Sequence, residues 1–151
     1  MTFSIITSNS HETKELGKKL GKLLKAGDCV LLDGELGAGK TTFTQGIASA
    51  LKIKGEVTSP TFVIAREHKS LNDGPNLVHV DAYRLSTLAE ISHLDLASDI
   101  DKSILVVEWG KGLVNDLVAQ PIQIKINHDI TDENKREFII TANEHITKGL
   151  S

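Results

Sequence analysis

The stretch Cys29-Val-Leu-Leu-Asp-Gly34-Glu-Leu-Gly-Ala-Gly-Lys40-Thr41-Thr42 decides the fold. Cys29 to Leu32 is a short apolar run of the kind a buried parallel strand needs. Gly34 to Thr41 then matches G-x-x-x-x-G-K-[ST], a loop whose glycines let consecutive backbone N–H groups converge on phosphate oxygens. From Thr42 to Leu51 the apolar residues Phe43, Ile47, Ala50 and Leu51 recur at helical spacing. Strand, glycine loop and helix in this order form a P-loop, because the helix N-terminus adds unpaired N–H groups and its dipole to the anion site. The expected ligand is a nucleoside triphosphate. Gly34, Leu36, Gly37, Ala38, Gly39, Lys40, Thr41 and Thr42 are its candidate contacts, with Lys40 reaching the β/γ oxygens and the Thr41 hydroxyl ligating Mg²⁺.

Outward from the loop, Asn9-x-x-Glu12 resembles a capping box, opening a helix with Leu16, Leu20, Leu23 and Leu24 on one face. Lys14, Lys18, Lys19, Lys22 and Lys25 line its other side as a solvated face, and Gly27 ends it. Lys52 to Pro60 reads as a connector. Thr61 to Glu67 and Asn76 to Val80 read as strands joined by the turn Asn72-Asp-Gly-Pro75. A helix is expected within Leu88 to Ile100, a buried strand over Ser103 to Glu108, and a short helical piece over Leu113 to Val118. After Pro121, Ile122, Ile124 and Ile126 alternate with polar residues, as do Phe138 and Ile140 beyond the turn at Thr131 to Asn134. That pattern predicts an antiparallel pair with one solvated face. The tail from Asn143 is weakly specified. The expected fold is therefore a single α/β P-loop NTPase-like domain over residues 1–151, with a mixed parallel/antiparallel sheet flanked by helices.

Composition narrows the function. A length of 151 residues suits one domain, and 40% hydrophobic residues supply a core. The net charge of −3 argues against an autonomous nucleic-acid binder. The single cysteine, Cys29, lies inside the apolar strand as a small buried hydrophobe. No signal peptide or membrane span is read, so a soluble cytoplasmic protein is expected.

A P-loop alone binds nucleotide; hydrolysis also needs an acid to hold the metal and a group to place the attacking water. Two apolar strands end in acids, Asp81 and Glu108. Ligands of open α/β sheets lie beyond the carboxyl ends of parallel strands, so either acid can be the metal-side one, leaving the other to orient water. Thr58-Ser-Pro-Thr61 stands where many NTPases keep a switch loop, or begins a strand after a turn. Arg84 can face phosphate or a partner. The six histidines lack metal-ligand spacing; most read as surface residues, and His79 as a packing residue. No Asn-Lys-x-Asp occurs, since Asn134-Lys-Arg-Glu137 misses at its last position, so ATP is preferred over GTP.

These pieces together resemble the TsaE (YjeE) family of small bacterial ATPases needed for the threonylcarbamoyladenosine modification of tRNA. The resemblance runs through Gly34 to Thr42, Thr58-Ser-Pro-Thr-Phe62, Asp81-Ala-Tyr-Arg84 and Val107-Glu-Trp109. It covers about Thr13 to Gly110. It implies Thr41 and Glu108 as Mg²⁺ ligands, Lys40 on the phosphates and Asp81 as the water-orienting residue or general base. It implies Thr61 as part of a nucleotide-responsive loop and Trp109 near the nucleotide or a partner, with Thr13 and Arg136 as weaker nucleotide contacts. It also implies partners, a TsaD–TsaB pair acting on adenosine 37 of tRNA, with ATP hydrolysis driving or resetting that complex. The alternatives left open are a small-molecule kinase, disfavoured by the count of three arginines (Arg66, Arg84, Arg136), and a non-catalytic ATP-sensing module.

Overall fold

The strand before the glycine loop lies at the centre of a mixed sheet that has seven strands among the described residues. The computed structural model describes residues 1–34, 39–53, 55, 57, 65–71, 74–81, 102–108, 120–129 and 131–151, with the backbone alone at 65, 66 and 81. In chain order the elements are β1 (Thr2–Thr7), α1 (Ser10–Leu23), β2 (Cys29–Gly34), α2 (Lys40–Ala50), β3 (Ala65–His68), β4 (Asn76–Asp81), β5 (Ser103–Glu108), β6 (Ile122–His128), β7 (Arg136–Thr141) and α3 (Glu144–Leu150). The sheet order is β1-β7-β6-β2-β5-β4-β3. β2 runs parallel to both β5 and β6, and β4 parallel to β5. The pairs β1–β7, β6–β7 and β3–β4 are antiparallel. The mixed sheet expected from sequence is the one observed.

Burial explains the strand patterns. β2 and β5 are covered on both faces and read as continuous apolar runs, while β6 alternates, with Ile122, Ile124 and Ile126 inside and Lys125 exposed. The helices supply the other half of the core. Leu16 and Leu20 of α1, and Leu24 just after it, share one core cluster with Phe43 and Ile47 of α2, and Phe43 stacks at a tilt on Phe138 with ring centroids 5.2 Å apart. Cys29 is buried, and desolvation, followed by the charge of Asp28, pushes its thiol from 9.0 up to about 12.

α1 and α2 cross through glycines. A Cβ on Gly17 would fall 2.1 Å from the Phe43 carbonyl oxygen, and one on Gly46 would fall 2.1 Å from that of Lys14. Backbone therefore touches backbone at the crossing, with no side chain between.

Three features add to or refine the sequence reading. The N-terminal residues form an edge strand, β1, which pairs with β7. The tail from Asn143 is a helix, capped by the Asn143 side chain accepting from the Ile146 N–H at 3.1 Å and anchored by buried Ile146 and Leu150. The box at α1 is offset: Asn9 accepts from the Glu12 N–H, but Glu12 accepts from Ser8, one residue before the cap, both at 2.9 Å. The helices expected within Leu88–Ile100 and Leu113–Val118 lie outside the described residues, as does part of the strand expected from Thr61. Among the described residues no helix is long and apolar enough to cross a membrane.

Candidate functional site

β2 delivers its last residue, Gly34, to the loop, and α2 begins on the far side with Lys40. Lys40 is 8% exposed, and its ammonium donates to the Gly34 carbonyl at 2.8 Å, joining the end of β2 to the start of α2. Gly39, the residue before α2, has φ +105°, a left-handed conformation that favours glycine. It offers no side-chain cap, and the first turn of α2 carries no acidic residue. An uncapped N-terminus beside a buried ammonium is a donor set suited to an anion.

Parallel pairing brings the acids to this end. Glu108 registers with Leu32, two residues before Gly34, and Asp81 registers with Glu108. Glu108 is 6% exposed, a depth at which a carboxylate needs a cation or donors. One donor is His79: its Nε2 lies 3.1 Å from Glu108 Oε1, and the ring is fully buried. His79 thus packs as expected, but against the acid. His68 is buried as well, whereas His11, His128 and His145 are exposed.

A second group of residues lines a cleft of about 340 Å³ between the starts of the two helices: Asn9, Ser10, Thr13, Gly39, Thr42, Asn134 and Arg136. Thr13 is held there by a buried hydroxyl pair with Thr7 at 2.7 Å, which ties α1 to β1. Its methyl group lies 3.7 Å from where a Cβ on Gly39 would stand. Arg136 opens β7 and donates to the carbonyls of Glu133 and Lys135. The preceding turn is ordered by Asp129, whose carboxylate accepts from the Thr131 hydroxyl at 2.6 Å and from its N–H at 2.8 Å. Those two bonds, hydroxyl first, hold the Asp129 carboxyl below its usual value.

The structure therefore gathers Thr13, Gly39, Thr42 and Arg136 at one cleft, and Gly34, Lys40 and Glu108 at the ends of β2 and β5. Thr41 sits half-buried in the first turn of α2. Leu36, Gly37, Ala38, Thr61, Arg84 and Trp109 lie outside the described residues, as does the Thr58–Thr61 segment. Sequence reading missed Asn9, Ser10 and Asn134 as cleft residues, although Asn9 was already marked as a cap.

A family model described as "Threonylcarbamoyl adenosine biosynthesis protein TsaE" matches residues 7–138. The chain belongs to the TsaE family. A Streptomyces coelicolor tRNA threonylcarbamoyladenosine biosynthesis protein TsaE is 56% identical over 79% of this chain and 81% of its own. The Bacillus subtilis protein of the same name is 38% identical over 92% of this chain and 86% of its own. The crystal structure of Bacillus subtilis YdiB superposes with a TM-score of 0.72 at 33% identity, covering 99% of this chain and 94% of that one. The matched region of the TsaE model contains both groups of site residues. This places the chain in tRNA threonylcarbamoyladenosine biosynthesis.

Proposed function

We propose that the chain is a P-loop ATPase that hydrolyses Mg-ATP to drive or reset the complex that modifies adenosine 37 of tRNA. The observation that carries this reading is the buried Lys40 ammonium on the Gly34 carbonyl, at an uncapped helix start, with Glu108 in register beside the same strand. The donor set fits the group. A buried cation at a helix start matches polyphosphate, and a buried carboxylate together with a threonine hydroxyl in the first turn of α2 supplies oxygen ligands of the kind a hard divalent ion takes.

In this reading the loop N–H groups and Lys40 hold the β/γ oxygens and stabilise charge that grows on them as the terminal phosphoryl leaves. Thr41 and Glu108 would hold a Mg²⁺ ion, which would supply charge neutralisation to the phosphate oxygens. Asp81, at the adjoining strand end, orients the attacking water. Thr13, Thr42 and Arg136 receive the remainder of the nucleotide in the cleft between the helix starts. The partners are a TsaD–TsaB pair; the chain's net charge of −3 suits a subunit that leaves the tRNA to others.

The test is ATP hydrolysis by the purified chain, alone and with the TsaD–TsaB pair and tRNA, with Lys40→Ala as control. Stimulation by the partners that disappears in Lys40→Ala is the expected result. Turnover indifferent to the partners would overturn the coupling, and unchanged turnover in Lys40→Ala would overturn the site.

A further inference from the structure

His79 does more than fill space. It lies on β4 on the same face as the core residue Leu77, is fully buried, and has Val106 of β5 as its register partner. Two residues further along β5 stands Glu108, and the 3.1 Å contact between His79 Nε2 and Glu108 Oε1 crosses from strand to strand. The other ring nitrogen, Nδ1, is buried with no hydrogen-bond partner among the described residues. A carboxylate accepts only, so the proton in this contact belongs to Nε2. An imidazole at this depth carries the desolvation penalty of an unmade bond at Nδ1 in order to keep one bond to one carboxylate. An aliphatic side chain would fill the position without that penalty.

We propose that His79 is a positioning residue for the metal-side acid. Its Nε2–H engages Glu108 Oε1, fixes the plane of the carboxylate, and leaves the remaining lone pairs of Glu108 directed by one rigid strand-to-strand contact. A carboxylate so held is pre-organised for a divalent ion, as ligands oriented by a second group generally are. The inference rests on the assignment of Glu108 in the proposed function.

The probe is Mn²⁺ with a non-hydrolysable ATP analogue, free Mn²⁺ being read by electron paramagnetic resonance. Nucleotide affinity is measured separately in chelator, and thermal unfolding reports folding. His79→Leu keeps bulk and removes the donor; His79→Gln carries an amide N–H to about the position of Nε2; His79→Asn carries one too short to reach. The Leu and Asn variants are expected to weaken Mn²⁺ binding roughly tenfold to a hundredfold. Metal-free nucleotide affinity should change less than about twofold, and the Gln variant should recover most of the loss. A merely structural histidine would shift the unfolding temperature and leave this pattern unformed. If the Leu variant does not fold, the Gln-against-Asn comparison decides alone. Glu108→Gln separates the two claims. If it leaves Mn²⁺ binding unchanged, the assignment of Glu108 falls and the proposal with it. If it weakens binding while Asn and Gln at position 79 both bind like wild type, positioning by His79 is overturned and the site stands.

Discussion

Gly46→Ala tests the helix crossing that sets the two cleft walls against each other. The added Cβ would stand 2.1 Å from the Lys14 oxygen, 2.9 Å from the Lys18 nitrogen and 3.0 Å from the Gly17 Cα. All three are backbone atoms, so no rotamer change relieves the contact. Restoring even a close C···O separation of about 3.3 Å requires α1 and α2 to part by roughly 1.2 Å. Overpacking of this kind costs about 1–3 kcal/mol, and here the upper end applies because only rigid elements can move. Against it stands the helix propensity of alanine, which favours the variant by about 1 kcal/mol. The net expectation is a loss of about 2 kcal/mol, which lowers Tm by about 4–8 °C for a chain of this size. Gly149→Ala is the matched control, since the nearest atoms to its Cβ all belong to the Leu23 side chain, the two methyl carbons at 2.5 and 2.6 Å and Cγ at 3.1 Å, and that side chain can turn aside. Thermal and urea unfolding followed by circular dichroism measure both. A Gly46→Ala protein as stable as wild type, or more stable by the propensity gain, would refute a backbone-to-backbone crossing.

Three other outcomes follow from the same geometry. Thr13→Val should cost about 1–3 kcal/mol by leaving the buried Thr7 hydroxyl without Thr13, and adding Thr7→Val should recover much of it, read as Tm. Arg136→Ala, at the cleft, is expected to weaken ATP binding about tenfold or more, the worth of a charged hydrogen bond, by calorimetry. At Cys29 the unfolded chain gives up its proton first, near 9.0, while the folded thiol holds its proton to about 12. Relative to Cys29→Ala, wild type should therefore keep its full margin below pH 9 and lose it progressively as pH rises toward 12, in urea titrations across that range.

What could be read in the sequence was what local chemistry decides. The apolar run before Gly34, the helical spacing after Lys40, the Asn9 cap and the Ile122–Ile126 alternation each speak within a few residues. β1 escaped because its burial is shallow: Phe3 and Ile5 are only half-buried, and Ile6, out of phase with them, is 55% exposed. Its strand state depends on β7, 129 to 139 positions away along the register. The C-terminal helix escaped because seven residues give Ile146 and Leu150 no room to establish a period. The site divided in the same way. Lys40 and Glu108 were marked by motif and by strand end. The contact between His79 and Glu108, 29 residues apart, depends on the register of two parallel strands, which no local pattern specifies.

The ladder between β1 and β7 bears on the order of events during synthesis. The loop, α2 and most of the parallel sheet are encoded by residue 108, but β1 finds its hydrogen-bonding neighbour only when residues 136–141 have left the ribosome. Thr13 is tied to β1 through Thr7, and Arg136 is the first residue of that late strand. A nascent chain can therefore already carry β2, α2 and Glu108 while the cleft beside them lacks one wall and the anchor of another. In the proposed reading the nucleotide cleft is complete only after residues 136–141 have emerged, and a chain stalled before residue 136 would carry the glycine-loop motif with an open sheet edge, a state prone to capture by chaperones or by other strands.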